Sequence, residues 1–128
     1  MNPNRVRRVS EEIKKIVSSA IIYEIKDPRI PPMTTITRVD LTRDLSFAKI
    51  YVSFLAKSDE EKREVLEILN NAKGYVRGII GRELNIYKTP DPKFLYDENL
   101  EDAMKMRELI KSLDIKKEED NEEDNSDN

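Results

Sequence analysis

The 128-residue chain has only three glycines, Gly74, Gly78 and Gly81, and all three fall in one stretch, Leu66 to Leu84. Around them Val65, Leu69, Ala72, Val76, Ile79 and Ile80 recur at steps of three or four. At about 100° per residue, that spacing draws one apolar stripe along a helix. The glycines share a face roughly opposite the stripe, with Lys73 and Arg77 on one flank and Arg82 on the other. Glycine inside an exposed helix costs roughly 1 kcal/mol relative to alanine. Three of them weaken this helix unless something returns the loss. One reading is a bare helix surface, edged with positive charge, that admits a bulky polyanion. The other is a kink with tight packing against a neighbouring element. Asn70-Asn71-Ala72-Lys73-Gly74 sets cap-forming and turn-forming residues among good helix formers. A helix, kink, helix is therefore expected, with Gly74 better suited to the kink than the other two.

Composition removes several chemistries. The chain has no cysteine and no histidine. Disulfides, thiolate metal sites and cysteine nucleophiles are excluded, as are the commonest general base and the commonest zinc ligand. No metal, cofactor or catalytic constellation is expected. No apolar run approaches the roughly 20 residues that cross a bilayer. The basic N-terminus lacks a following apolar segment of signal-peptide type, so a cytoplasmic protein without membrane contact is expected. The net charge of −3 conceals an asymmetry. Glu118 to Asn128 carries seven acidic residues and no basic one, so the remainder stands at +4. With no apolar residue to bury, that end is expected to be a disordered tail. It could compete with nucleic acid for the basic surface, or simply solubilise the chain.

Elements follow in order. Arg5 to Ile25 reads as a first helix, with Val6, Val9, Ile13, Ile16, Val17 and Ala20 on one face, Pro3 before it and Asp27-Pro28 ending it. After a proline-punctuated linker, two strands are expected at Thr34 to Leu41 and Phe47 to Phe54, joined as a hairpin by Thr42-Arg43-Asp44-Leu45. Ile36 has the wrong parity relative to Val39 and Leu41. A bulge near Thr37-Arg38 would reconcile them. Lys49 and Tyr51 share a strand face that could be a small stacking surface or merely half-exposed sheet. Ser58 with Glu61 is a capping box that starts the helix leading into the glycine stretch. Leu84-Asn85-Ile86-Tyr87 ends that stretch, and Lys93 to Tyr96 reads as a short third strand. Asp97 or Asn99 can cap a last helix striped by Leu100, Ala103, Met106, Ile110 and Leu113, with its methionines as core filler. A hairpin plus a third strand after a helical crossover predicts an α+β fold, a three-stranded sheet with helices on one face. Gly78-Ile79-Ile80-Gly81 has GxxG spacing, but its middle residues lie on the apolar side, unlike a loop that clamps a nucleic-acid backbone.

Five ordered pieces are more specific. They are Arg5-Val6 opening a helix that runs to Glu24-Ile25-Lys26-Asp27-Pro28-Arg29; Thr35 to Leu41 followed by Arg43-Asp44-Leu45; Ala48 to Phe54; Leu69 to Arg77 with Gly81-Arg82-Glu83-Leu84; and Lys88-Thr89-Pro90 with Phe94, Asp97 and the segment from Leu100. Together, over about residues 4 to 113, they resemble the bacterial ribosome-binding factor A family. The resemblance implies a single KH-like domain, α-β-β-α-kink-α-β plus a C-terminal helix. In it Ala72-Lys73-Gly74 forms an interhelical kink in place of a GxxG loop. It also implies a non-catalytic factor that binds free 30S subunits, not 70S ribosomes or polysomes. The family acts through the 5′-terminal helix region of 16S rRNA, assists late 30S maturation and 16S rRNA processing, and is associated with growth in the cold. The chain departs from the family at Asp91-Pro92, where Pro92 cannot donate a ladder hydrogen bond. The third strand is therefore expected to start later or to lie at an edge. A second departure is Tyr87, which stands where the family often has a basic residue.

These readings give a KH-like RNA-binding domain over residues 1–115 and an acidic tail over 116–128, in a monomer. The rRNA-contacting candidates are Lys73, Gly74, Arg77 and Arg82 beside the glycine face, with Arg5, Arg7, Arg8, Arg38, Arg43, Lys49 and Lys88 as secondary ones. A protein-interaction domain whose basic residues are only solvated is the alternative from another class. A small hydrolase would need a carboxylate pair in a pocket, whereas the acidic residues fall at caps and in the tail.

Overall fold

The computed structural model describes residues 2–85, 88–99 and 106–113. They divide into two units, Met1–Asp97 and Glu98–Asn128. Helix α1 spans Pro3–Tyr23, with Pro3 inside its first turn and the Asn2 side chain accepting from the Asn4 N–H. Proline suits that position because its missing N–H would have had no intrahelical partner. The helix therefore starts two residues earlier than its apolar pattern suggests, and it ends at Tyr23 rather than Ile25. Its buried stripe is Val9, Ile13, Val17, Ala20 and Ile21.

Strands β1 (Thr35–Leu41) and β2 (Phe47–Ser53) form an antiparallel hairpin, and β3 (Asp91–Tyr96) adds in parallel to β2, giving the order β1-β2-β3. The expected bulge is present. Ile36 pairs with Val52 and Arg38 with Tyr51, leaving Thr37 as the extra residue. This turns Ile36 into the core while Val39 and Leu41 stay partly buried against it. The Thr37 hydroxyl donates to the buried Asp97 carboxylate at 2.6 Å.

Helix α2 (Asp59–Asn71) starts at the expected cap. Ser58 Oγ accepts from the Glu61 N–H at 3.1 Å, and Glu61 in return accepts from the Lys57 N–H at 3.0 Å. Helix α3 (Lys73–Glu83) follows after a break of one residue, Ala72, at φ −91° and ψ 5°. The kink thus lies at Ala72. Gly74 sits inside α3, and no glycine has positive φ. Val65, Leu69, Val76, Ile80 and Phe94 join Ile13, Val17, Ile50 and Val52 in one core on one face of the sheet. Ile79 and Ile80 are buried, so the Gly78–Gly81 segment presents no outward loop.

The third strand begins at Asp91, two residues before its expected start. It lies at the edge of the sheet, and this explains how Pro92 is tolerated. The Asp91 N–H reaches inward to the Ser46 carbonyl at 2.9 Å. Neighbouring residues along a strand point their amides to opposite sides, so Pro92 faces the free edge, where no ladder donor is needed. Two residues on, the same edge is closed by a side chain. Asn70 accepts from the Phe94 N–H at 2.8 Å and donates to the Phe94 carbonyl at 3.1 Å.

In the second unit, residues 106–113 are helical. Met106, Leu109, Ile110 and Leu113 are exposed there. Among the described residues of that unit there is no second element to cover the stripe. Leu100, Ala103, Ile86, Tyr87 and the acidic tail lie outside the described residues.

Asn70→Ala removes both partners of the Phe94 backbone. Leaving buried donors or acceptors unmatched costs about 1–3 kcal/mol. Urea denaturation should show a loss of that size. A loss below about 0.5 kcal/mol would mean that water replaces the carboxamide there.

Candidate nucleic-acid interface

The glycine face of α3 is open where it matters. A Cβ added at Gly74 or Gly78 would meet nothing within 4 Å, whereas one at Gly81 would stand 2.8 Å from Thr89 Oγ1. Close packing therefore accounts for Gly81 alone. Gly78, inside α3, carries the helix cost of glycine with no neighbour to return it, and Gly74, in the first turn, is equally uncovered.

Arg77, Lys88 and Thr89 line a shallow groove together with the three glycines. Neither cation is loose. Arg77 Nη1 lies 3.2 Å from Asp91 Oδ1, with both side chains about half exposed. Lys88 Nζ donates to Ser46 Oγ at 2.9 Å. The start of β3 and the end of the β1–β2 hairpin therefore hold the groove's two charges. The hairpin end is itself fixed by side chains. Thr42 Oγ1 accepts from the Ser46 and Phe47 N–H groups and donates to Asp44 Oδ1 at 2.8 Å, while Leu45 takes φ 62°. Donation from Thr42, then from the Ser46 side chain and backbone, holds the Asp44 carboxyl down to about 2, with the Lys88 charge adding to the effect.

Other sequence candidates are distributed around this groove and away from it. Arg7 on α1 and Arg43 in the hairpin line a second groove, whose wall also includes Asp40. Arg38 and Lys49 point to the sheet face opposite the helices. There Arg38 sits 4.1 Å over the Tyr51 ring and 3.6 Å from Asp40. The Tyr51 face that could have stacked on a base is thus covered by a guanidinium. Arg5, Arg8, Lys73 and Arg82 are exposed and form no ion pair with another described residue.

Sequence reasoning missed Lys93. It is the Cα partner of Lys49 across β2 and β3, and both side chains are exposed. The signal was parity. With Phe94 turned into the core, its neighbour Lys93 falls on the outer face. Among the described residues no cluster of three or more acidic side chains could hold a metal ion, and no helix is long and apolar enough to cross a membrane.

The sequence pattern of the ribosome-binding factor A family matches residues 5–110. A ribosome-binding factor A of Caldanaerobacter subterraneus subsp. tengcongensis is 45% identical over 117 residues, covering 91% of this chain and 95% of the relative. A Thermotoga maritima protein, solved in solution and described as a candidate ribosome binding factor A, superposes with a TM-score of 0.61 at 36% identity, over 74% of this chain and 90% of its own. A homology model of Thermus thermophilus ribosome binding factor A, fitted into a cryo-electron-microscopy map of a 30S complex of that protein, has a TM-score of 0.58 at 21% identity. It covers 70% of this chain and 92% of its own, and at that identity the likeness is one of fold.

Gly78→Ala should stabilise the protein by about 0.5–1 kcal/mol in chemical denaturation, because helical glycine is replaced in open space. Gly81→Ala should destabilise it instead, since Thr89 must move. Stabilisation by both would show that the Thr89 contact is soft. For Asp44, the folded-state pKa lies below the ordinary carboxylate value near 4. Its contribution to stability is complete above that value and is lost as pH falls through about 2. A carboxyl titration followed by NMR should show Asp44 moving toward its ordinary pKa in Thr42→Val.

Proposed function

The chain belongs to the ribosome-binding factor A family, and from that membership we propose that it binds free 30S ribosomal subunits. It does so through the 5′-terminal helix region of 16S rRNA and assists late 30S maturation and 16S rRNA processing. It acts by binding, without catalysis, as a cytoplasmic monomer. Its RNA-binding domain extends over residues 1–115, and residues 116–128 are an acidic tail. The observation that carries this reading is the bare α3 surface at Gly74 and Gly78, edged by Arg77 and Lys88. The Thermus relative placed in a 30S complex supports the choice of partner.

A phosphate backbone has a bulky, repeating anionic edge, and close approach to a helix requires that no side chain stand in the way. Gly74 and Gly78 provide that clearance. Arg77 offers a planar fork suited to phosphate oxygens and Lys88 a point charge. Arg7 and Arg43 line the next groove along the hairpin end, and Lys73, Arg82, Arg5 and Arg8 extend the positive field. Such contacts position a protein on RNA without reading base sequence. Selection of the site then rests on rRNA shape. Because Arg77 is shared with Asp91, phosphate must compete with a carboxylate for it. This keeps affinity moderate, as suits a factor that must leave a finished subunit.

The test is sedimentation with free 30S subunits and with 70S ribosomes across a salt series. Co-sedimentation should occur with 30S only and fall steeply as salt rises. Arg77→Glu and Lys88→Glu should each weaken 30S binding with little loss of stability, and neutralising either cation should lower the salt slope by about 1. Salt-independent binding, or equal binding to 70S, would overturn the proposal.

A further inference from the structure

The end of the domain far from the basic grooves has a different chemistry. Helix α1 joins the two ends. Arg7 lines a basic groove, and Ile22, about 20 Å further along at 1.5 Å per residue, lines an apolar one. Strand β2 runs the same way, with Phe47 beside the hairpin and Leu55 just past its opposite end. At this far end two grooves of about 740 and 720 Å3 share Pro28, Pro31 and Pro32 as a common wall. These sizes suit the anchoring side chains of a bound segment.

Three large apolar side chains stand in water here. Met33 is 92% exposed, Leu55 86% and Ile22 65%. Met33 and Ile22 line the first groove and Leu55 the second. Met33 also holds φ 65°, a left-handed conformation that L side chains rarely adopt. The chain thus accepts an unfavourable backbone geometry at a methionine that the fold does not bury. An observed outlier of this kind points to a use outside the fold.

The wall of the second groove has an acidic excess, while Lys26 and Asp27 line the first. Glu60, Glu61 and Glu64 come from α2 and wall the second groove. The opposing Arg29 is already occupied. Its guanidinium meets Asp27 through Nε at 3.1 Å and Nη2 at 2.8 Å. Lys57 is the remaining cation of that wall. Three carboxylates against one uncommitted ammonium would repel a phosphate backbone, and they would also repel the same wall of a second copy.

We propose that this proline-walled end docks a polypeptide segment carrying lysine or arginine beside leucine-sized apolar anchors. The anchors enter the grooves against Met33, Leu55 and Ile22, and the cations meet Glu60, Glu61 and Glu64. The proposal goes beyond rRNA binding and does not depend on it, because the basic grooves lie at the other end.

The full chain, labelled with nitrogen-15, is titrated with the peptide Lys-Leu-Lys-Lys-Leu-Lys and with the same peptide carrying serine for both leucines. It is also titrated with a uridine oligonucleotide and diluted alone. Saturable shifts of the Met33, Leu55 and Glu64 amides are expected with the leucine peptide. The serine peptide, and a Met33→Ser, Leu55→Ser double variant, should each bind at least about tenfold more weakly, since both lose apolar burial. The variant should keep its core signals, as both sites are exposed. Absence of shifts with the leucine peptide overturns the proposal. So does equal binding of the serine peptide, which would mean charge attraction alone. Shifts of the same amides by the oligonucleotide, or on changing concentration of the chain alone, overturn it in favour of RNA or of a second copy.

Discussion

The carboxamide of Asn70 holds the fold's most consequential junction. By accepting from the Phe94 N–H and donating to the Phe94 carbonyl, it binds the end of α2 to the free edge of the sheet. A helix fixed there cannot continue straight and also bury its next apolar residues. The break at Ala72 redirects the chain so that Val76 and Ile80 reach the core against α1 and β3. Once α3 has that direction, its opposite face carries Gly74 and Gly78 outward, beside Arg77 and Lys88. One amide side chain thus ties the end of α2, just before the helix break, to the sheet and covers part of an edge strand that could otherwise pair with other chains.

Much of this architecture was legible in the chain because it depends on local chemistry. The hairpin, the capping box and the bulge at Thr37 follow from turn residues, an N-cap and a parity fault, each complete within a few residues. The start of β3 was not: Asp91-Pro92 implies either a delayed strand or an edge position, and the fold takes the edge, because which edge is free is decided by β2 and Asn70, distant in sequence. The kink expected over Ala72-Lys73-Gly74 falls at Ala72, at angles open to any residue, and Gly74 uses ordinary helical geometry.

The candidate site divides the same way. Periodicity alone placed the glycines on one face with basic flanks. It could not say which cations converge, because convergence occurs through space. Arg77 and Lys88 share a groove only because the segment after α3 brings Lys88 to Ser46 and β3 brings Asp91 to Arg77. Arg38 and Lys49, equal candidates by charge, face the other side of the sheet. Lys93 was legible by alternation with Phe94, and its pairing with Lys49 across β2 and β3 was not.

The energetic argument for the glycine surface rests on asymmetry between three chemically identical residues. Gly81 returns its cost through a close approach to Thr89 that a Cβ would obstruct. Gly74 and Gly78 have neither a close neighbour nor a positive φ, the two usual reasons for glycine in a fold. Gly78, in the helix interior, lowers stability by about 0.5–1 kcal/mol relative to alanine, against a total of about 5–15 kcal/mol for a domain. No contact among the described residues offsets that loss at Gly78, and the cations beside these two positions suit the anionic partner proposed above.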